Sequence, residues 1–109
     1  MHHQDLINEL LNCAKACDSC ATACLQEDDV KMLARCIQLD MDCADICTLA
    51  ARLLQRDSEA AQDILEACEA VCDLCAEECE NHQDMHEHCR VCADACRKCA
   101  EACRNYEIA

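Results

Sequence analysis

Sixteen of the 109 residues are cysteine, and nearly all of them recur at steps of three and four along the chain. Side chains at these steps lie on one face of an α-helix, on the stripe where a helical bundle normally carries leucine. A buried stripe of thiols suits the binding of soft metal ions. The stripes comprise Cys13, Cys17, Cys20, Cys24; Cys36, Cys43, Cys47; Cys68, Cys72, Cys75, Cys79; and Cys89, Cys92, Cys96, Cys99, Cys103.

The spacing between neighbouring thiols favours Cu(I) over a disulfide. Residues four apart on a helix have Cβ atoms about 5–6 Å apart, whereas a disulfide needs roughly 3.5–4.5 Å. Two sulfurs about 4.3 Å apart instead suit an ion bound between them, by comparison with the zinc–thiolate bond length. Copper(I) is the soft ion that accepts two or three thiolates, so the seven CxxxC pairs, such as Cys13 with Cys17, favour it.

Other metals and other functions remain as alternatives. Zinc prefers a closed set of four ligands and is not excluded, because a bundle layer could supply four thiols. An iron–sulfur cluster also uses cysteine alone, but its bridging sulfide fits poorly inside a continuous helical core. A metal-transfer chaperone generally needs one exposed site, and a thiol oxidoreductase needs an activated thiolate near a helix N-terminus, unlike Cys17 and Cys20.

Charge predicts how many ions the stripe holds. A Cu(I) ion bound by two thiolates leaves one negative charge, and a column of such charges in a narrow core is costly. The core becomes neutral when each thiolate bridges two ions. We therefore expect a full load of roughly one Cu(I) per cysteine, about 16 ions, each displacing about one thiol proton.

Composition restricts the fold and the partners. Glycine, proline, phenylalanine and tryptophan are absent, so tight β-turns are disfavoured and nothing interrupts a helix. The net charge of −14 argues against binding nucleic acid. The first residues lack a secretory pattern and no stretch is apolar enough to cross a bilayer, so we expect a cytoplasmic protein that binds metal rather than forming disulfides.

Three polar breaks divide the chain into four stretches of similar length, and each break ends in an aspartate suited to cap the next helix: Asp28, Asp57 and Asp84. Asp84 and Glu87 also match a capping box. Short connections force neighbouring helices to be antiparallel. The prediction is an all-α, up-down-up-down four-helix bundle with a cysteine-lined core, a single domain over 1–109 with helices at approximately 4–25, 29–54, 58–80 and 85–106.

This topology gives the bundle two different ends. The leucine end gathers a hydrophobic plug of Leu6, Leu10, Leu54, Leu65 and Tyr106. The histidine end gathers thiols with Met85, His82, His86 and His88. We expect metal ions to enter at the histidine end. His2 and His3 fall at the leucine end, where we expect no specific role for them. We expect Met32 and Met41 to pack in the core rather than to bind metal.

Two residues beside the thiols are further candidate ligands. Asp40 occupies a stripe position between Cys36 and Cys43, where an unpaired carboxylate would be costly. His86 precedes Cys89 by three residues and shares its helix face, whereas spacing alone turns His88 about 100° away, toward the surface.

The chain resembles the cytosolic class of bacterial copper storage proteins over essentially its whole length. The resemblance is strongest in the CxxxCxxCxxxC runs that begin at Cys13 and Cys68, and in the segment 86–92 leading into the last cysteines. It implies storage of many Cu(I) ions along the bundle axis, no catalytic turnover and a homotetramer. It also implies that Asp40 joins the metal chain and that both His86 and His88 are ligands where copper enters.

Apolar residues also lie off the thiol stripe on the second helix, at Ile37, Leu39, Ile46, Leu49 and Leu53. Part of this set flanks a wide core seam, and the remainder favours self-association of the chain.

Overall fold

The computed structural model describes residues 3–106, which form four long α-helices, one short 3₁₀ helix and no strand. Each helix packs against its sequence neighbours, and the last closes the ring against the first. The predicted up-down-up-down four-helix bundle is confirmed. The helices are α1 (Gln4–Cys24), α2 (Ala34–Gln55), α3 (Ala61–Glu80) and α4 (Glu87–Asn105), and the 3₁₀ helix (Val30–Leu33) leads directly into α2.

Cysteine fills the centre of the bundle, as the periodicity predicts. All sixteen cysteines are buried free thiols, and alanines beside them let the helices approach closely. Leucines complete the core at the leucine end, where Leu10 is fully buried and Tyr106 packs against the cluster. None of the helices in the described part of the chain is both long and apolar enough to cross a membrane.

The connection between α2 and α3 uses its aspartate in a way that the sequence did not suggest. Asp57 adopts a left-handed conformation with φ of 51°, and the Ser58 N–H donates to the Leu53 carbonyl at 2.9 Å. This is a helix C-terminal motif that usually carries glycine, which the chain lacks. Asp57 therefore ends α2 rather than capping α3, which begins at Ala61 rather than at residue 58.

The start of α4 also differs from the expected capping box. The residue preceding the helix is His86, in an extended conformation (φ −136°, ψ 113°), and no side chain caps the first turn. The predicted box of Asp84 and Glu87 is wrong because the chain makes turns until His86 and the helix starts two residues later than residue 85. Asp28 does not cap α2 either, because a 3₁₀ helix that begins after Asp29 lies between Asp28 and α2. The carboxylate of Asp29 forms a hydrogen bond with His86 and caps no helix.

Several peripheral residues lie differently from their predicted positions. Met32 and Met41 are exposed, so the expectation that they fill the core is wrong, and Met85 is exposed as well. On α2, the residues Ile37, Leu39, Ile46 and Leu53 pack against the bundle's own core, whereas Leu49 is exposed.

His3 has contacts at the leucine end that the sequence did not predict. Its ring is buried, with Nδ1 against the Tyr106 hydroxyl and Nε2 2.8 Å from Asp57 Oδ1. These contacts join the start of α1, the α2–α3 connection and the end of α4. His2 lies outside the described residues.

Candidate metal centre

The sixteen thiols form one continuous column along the bundle axis. Groups of four ligand atoms lie within 4.8 Å of one another, and successive groups share members, so that Cys17 and Cys96 each belong to two groups. From the histidine end these groups are Cys20, Cys24, Cys36, Cys89; then Cys20, Asp40, Cys79, Cys92; then Cys17, Cys75, Cys92, Cys96; then Cys13, Cys17, Cys43, Cys96; and then Cys13, Cys47, Cys72, Cys99.

The leucine end of the column is completed by two more thiols. Cys68 Sγ lies 3.6 Å from Cys47 Sγ and 3.9 Å from Cys72 Sγ. Cys103 lies beside Cys68 and Cys99. Every cysteine of the predicted site therefore has at least one thiol neighbour.

The sulfur–sulfur distances suit a three-coordinate ion better than a linear one. Pairs across the bundle lie at 3.6 Å for Cys17 with Cys96 and for Cys43 with Cys72. The CxxxC pair Cys20 and Cys24 lies at 3.9 Å, shorter than the expected 4.3 Å. With a metal–sulfur bond of about 2.3 Å, trigonal ligation separates the sulfurs by about 4.0 Å and linear ligation by about 4.6 Å. Neighbouring thiols can therefore bind an ion with little movement of the helices.

Asp40 lies inside the column, bonded to three thiols. Its Oδ1 atom accepts hydrogen bonds from Cys75 at 3.1 Å, Cys92 at 3.2 Å and Cys79 at 3.5 Å. Burial, followed by the nearby Cys92 and Cys75, raises the pKa of Asp40 to about 11. The side chain is thus a neutral acid at pH 7 before metal binds. The protein therefore does not bury a charged carboxylate at this position.

His88 faces the thiols, contrary to the expectation from spacing. Its Nδ1 atom lies 3.6 Å from the sulfurs of Cys20 and Cys89 and 3.9 Å from that of Cys24. Its Nε2–H donates to Glu27 at 2.8 Å. A carboxylate on one ring nitrogen fixes the tautomer and leaves the other lone pair free for a metal. The rotation argument failed because His88 lies in the first turn of α4, at the end of the bundle, where its ring reaches across to thiols on α1 rather than only along its own helix.

His86 lies behind His88 rather than among the thiols. The two rings stack with centroids 5.2 Å apart. His86 Nδ1 lies 2.8 Å from Glu27 and Nε2 lies 3.0 Å from Asp29. The hydrogen bond to Asp29 raises the pKa of His86, and two carboxylate acceptors suit the doubly protonated ring. Because His86 precedes the helix, it does not share the face of Cys89 as the spacing predicted.

Glu27 and Asp29 are the residues that sequence reasoning missed. Both lie in or beside the first polar break, a segment that the sequence pattern predicts only as a boundary between helices. The antiparallel topology brings this connection to the same end as the histidines, so an acidic pair facing a histidine pair was the available signal. The hydrogen bond from His88 lowers the pKa of Glu27, which keeps that carboxylate charged.

A second polar cluster covers the other side of the histidine end. Glu78, which is buried, accepts from His82 Nε2 at 2.8 Å and from Arg35 at 2.5 Å. Arg35 and Glu78 are the chain neighbours of Cys36 and Cys79, whose sulfurs lie 3.6 Å apart. The cluster ties α2 to α3 beside these thiols, and it explains why His82 has no thiol contact among those described.

Two thiols near the histidine end, Cys24 and Cys89, are held in the protonated form, whereas the hydrogen bond from Cys20 lowers the pKa of Cys36. Desolvation, followed by repulsion from Cys36, raises the pKa of Cys24 to about 12 and also raises that of Cys89. Soft cations must therefore displace protons as they bind, and the apparent affinity falls as pH falls.

A helical bundle whose core is a continuous column of buried thiols defines a protein that holds many soft metal ions, rather than one with a single structural or catalytic site. The chain belongs to the copper storage protein family, whose family model (Csp, copper storage protein) matches residues 1–108.

Similar proteins agree with this assignment. A cytosolic copper storage protein from Streptomyces lividans, solved with five coppers, is 50% identical with a TM-score of 0.88, covering 91% of this chain and 86% of its own. Cu(I)-bound copper storage protein BsCsp3 is 42% identical with a TM-score of 0.90, covering 95% and 96%. The cysteine-rich protein YhjQ of Bacillus subtilis is 45% identical over 58 residues, 53% of this chain. The match spans about half of that curated relative, 54% of its length.

Proposed function

We propose that this protein stores and buffers Cu(I), at roughly one ion per cysteine, by thiolate coordination along the bundle axis. The observation that carries the proposal is the continuity of the sulfur column, in which successive four-ligand groups share members. Shared thiolates bridge neighbouring ions, so a monovalent metal can neutralise the core. Separate zinc sites would each need four thiolates to themselves.

The proposed ligands are the sixteen cysteines together with Asp40, His88 and His86. Asp40 is three-fold bonded to thiols and becomes available to copper when those thiols lose their protons. His88 offers Nδ1 to an ion shared with Cys20 and Cys89. His86 can bind only after Glu27 or Asp29 releases one of its ring nitrogens, so we assign it a transient role while copper enters.

Copper entering at the histidine end is supported by the contrast between the two ends. Leu10, Leu54 and Leu65 close the leucine end with apolar side chains that offer no ligand. At the histidine end, His88 is partly exposed and reaches thiols through one ring nitrogen. An ion from solvent therefore meets nitrogen and sulfur ligands there first.

The test is an anaerobic titration of the fully reduced protein with Cu(I) against a chromogenic competitor. We expect saturation near 16 ions per chain and release of about one proton per ion in weakly buffered solution. A parallel titration with Zn(II) serves as the comparison. Saturation near four Cu(I) ions would overturn the storage proposal and favour isolated tetrahedral sites, whereas about four Zn(II) ions is the load that sixteen thiols in four-ligand sites would give.

We also propose that the protein works in the cytoplasm as a homotetramer and catalyses no reaction. The compartment is supported by the cytosolic Streptomyces lividans relative. Exposed Met41 and Leu49 on the outer face of α2 supply apolar surface for assembly. Sedimentation of the reduced protein with and without copper tests the assembly, and a monomer at micromolar concentration would contradict it.

A further inference from the structure

A groove between α1 and α4 leads from the side of the bundle to the thiols nearest the histidine end. Its volume is about 360 Å³, within the range of roughly 300–1,000 Å³ that small-molecule sites occupy. Cys20 and His88 lie at its floor, and apolar groups dominate its walls. We call it the α1–α4 groove and define it by Lys15, Ala16, Ser19, Cys20, His88 and Val91.

The groove carries a positive charge in a strongly acidic protein. Lys15 is exposed and forms no ion pair with any residue between 3 and 106. The chain as a whole carries a net charge of −14, which repels anions approaching elsewhere on the surface. A carboxylate-bearing ligand therefore finds a favourable contact at this rim.

The two ends of the groove match two parts of one kind of molecule. The floor offers a thiol and an imidazole nitrogen 3.6 Å apart, the ligands that Cu(I) prefers. The rim offers an ammonium group for a carboxylate, and the walls between them suit a short aliphatic chain. The shape and the polarity thus fit a small peptide thiol that bears a carboxylate and carries copper.

We propose that the α1–α4 groove is the docking site for a low-molecular-weight anionic thiol that delivers Cu(I), or removes it, through Cys20 and His88. This inference rests on the proposed storage function and adds the class of molecule that exchanges copper with the bundle. Lys15 is a positioning residue that holds the carrier's carboxylate and does not touch the metal.

The exchange is balanced without any redox step. A carrier with two thiolates on one Cu(I) approaches the protonated Cys20. A bond forms between copper and Cys20 sulfur, one bond between copper and a carrier sulfur breaks, and the proton from Cys20 passes to the departing thiolate. Copper stays in the +1 state. His88 Nδ1 can hold the ion during the exchange because Glu27 keeps the other ring nitrogen protonated.

The experiment measures the rate of copper transfer from Cu(I)–glutathione to the reduced protein by anaerobic stopped-flow absorbance. Glutathione diethyl ester, which has the same thiol and no free carboxylate, is the matched carrier. Lys15→Glu reverses the charge at the rim, and Lys31→Glu makes the same change on the 3₁₀ helix, outside the groove. Ala16→Leu fills the groove without altering charge.

We expect Lys15→Glu to slow transfer from Cu(I)–glutathione about three- to tenfold, as reversing one exposed charge predicts. Lys31→Glu should change the rate of transfer from Cu(I)–glutathione by less than about twofold, and Lys15→Glu should change the rate of transfer from the ester by less than about twofold. Ala16→Leu should slow both carriers. Equal slowing by the two lysine variants, equal sensitivity of ester and acid, or no effect of Ala16→Leu would each overturn the proposal.

A copper source without carboxylates or thiols separates this proposal from the storage function. Cu(I) supplied in acetonitrile should load the parent protein and Lys15→Glu to the same total. If that capacity is far below one ion per cysteine in both, the storage proposal fails. If it is full while the carrier comparison shows no role for Lys15, only the docking site is refuted.

Discussion

The Nδ1 atom of His88 lies 3.6 Å from the sulfur of Cys20, so an imidazole from the start of α4 completes a thiol cluster supplied mainly by other helices. This contact places a nitrogen ligand where solvent and the sulfur column meet. Nitrogen ligands bind Cu(I) without first losing a proton when the ring is neutral, whereas the raised pKa of Cys89 requires deprotonation there.

Replacing His88 should therefore slow copper uptake without reducing capacity. We expect His88→Ala to lower the initial uptake rate by about tenfold while the total remains near one ion per cysteine. Stopped-flow loading followed by metal analysis measures both quantities. His86→Ala is the comparison, because its ring has no described thiol contact, and it should slow uptake less than His88→Ala. The reverse order would contradict the geometry.

The Glu27 carboxylate, which accepts a hydrogen bond from His88 Nε2, should affect the copper affinity of the site at His88. Glu27→Gln keeps an oxygen acceptor but removes the charge that holds the proton on Nε2. We expect the affinity for the first copper equivalent to fall by about tenfold, with the Nδ1–H tautomer becoming visible in nitrogen chemical shifts of the ring. Competitor titration at substoichiometric copper measures the affinity.

Glu87→Gln is the control for that experiment. Glu87 lies at the same end but pairs with Arg90 on the exposed side of α4. It should leave both the affinity and the tautomer unchanged. An unchanged tautomer in Glu27→Gln would show that the carboxylate does not orient the imidazole.

The sequence predicted the sulfur column more completely than it predicted the contacts at the histidine end, for a physical reason. Thiols from Cys13 to Cys103 recur with helical periodicity, and periodicity determines which face of a regular helix is buried. The stripe also predicted the burial of Asp40. Contacts across connections carry no such periodicity, so the partners of Glu27 and Asp29 were not found.

The positions of the two histidines depended on where α4 begins. Spacing assigned His86 to the thiol face on the assumption that the helix already included it. The chain is extended at His86 because its ring bonds Glu27 and Asp29 across the bundle. A helix start two residues later than expected thus leaves His86 off the face of Cys89, whereas the ring of His88 reaches thiols of α1 from the first turn of α4. Helix ends are where local sequence is least decisive.

Asp40 should make the metal-free bundle less stable as pH rises. Its pKa is about 11 in the folded protein and about 3.9 in an unfolded chain. Between these values the folded state holds a proton that the unfolded state lacks. The stabilisation is therefore complete below about pH 4 and is lost progressively up to about pH 11, with a slope of about 1.4 kcal/mol per pH unit.

Asp40→Asn replaces the carboxyl group that holds this proton with an amide that does not titrate. Urea unfolding of the reduced, metal-free proteins at pH 5, 6 and 7 should show the parent losing stability relative to Asp40→Asn by about that slope. Asp42→Asn, two residues away on the exposed side of α2, should follow the parent. Parallel curves for the parent and Asp40→Asn would mean that the carboxyl group is ionised in the folded bundle.

The leucine end should support folding and contribute nothing to copper capacity. Leu10 is fully buried between the helices, whereas its neighbour Leu11 is 46% exposed. Leu10→Ala should lower the free energy of unfolding of the metal-free protein by about 2–5 kcal/mol, and Leu11→Ala by less than about 0.5 kcal/mol. Both should still bind roughly one Cu(I) per cysteine, because metal binding to the folded state stabilises it. A Leu10→Ala protein that folds but stores markedly less copper would show that the plug shapes the sulfur column as well as closing it.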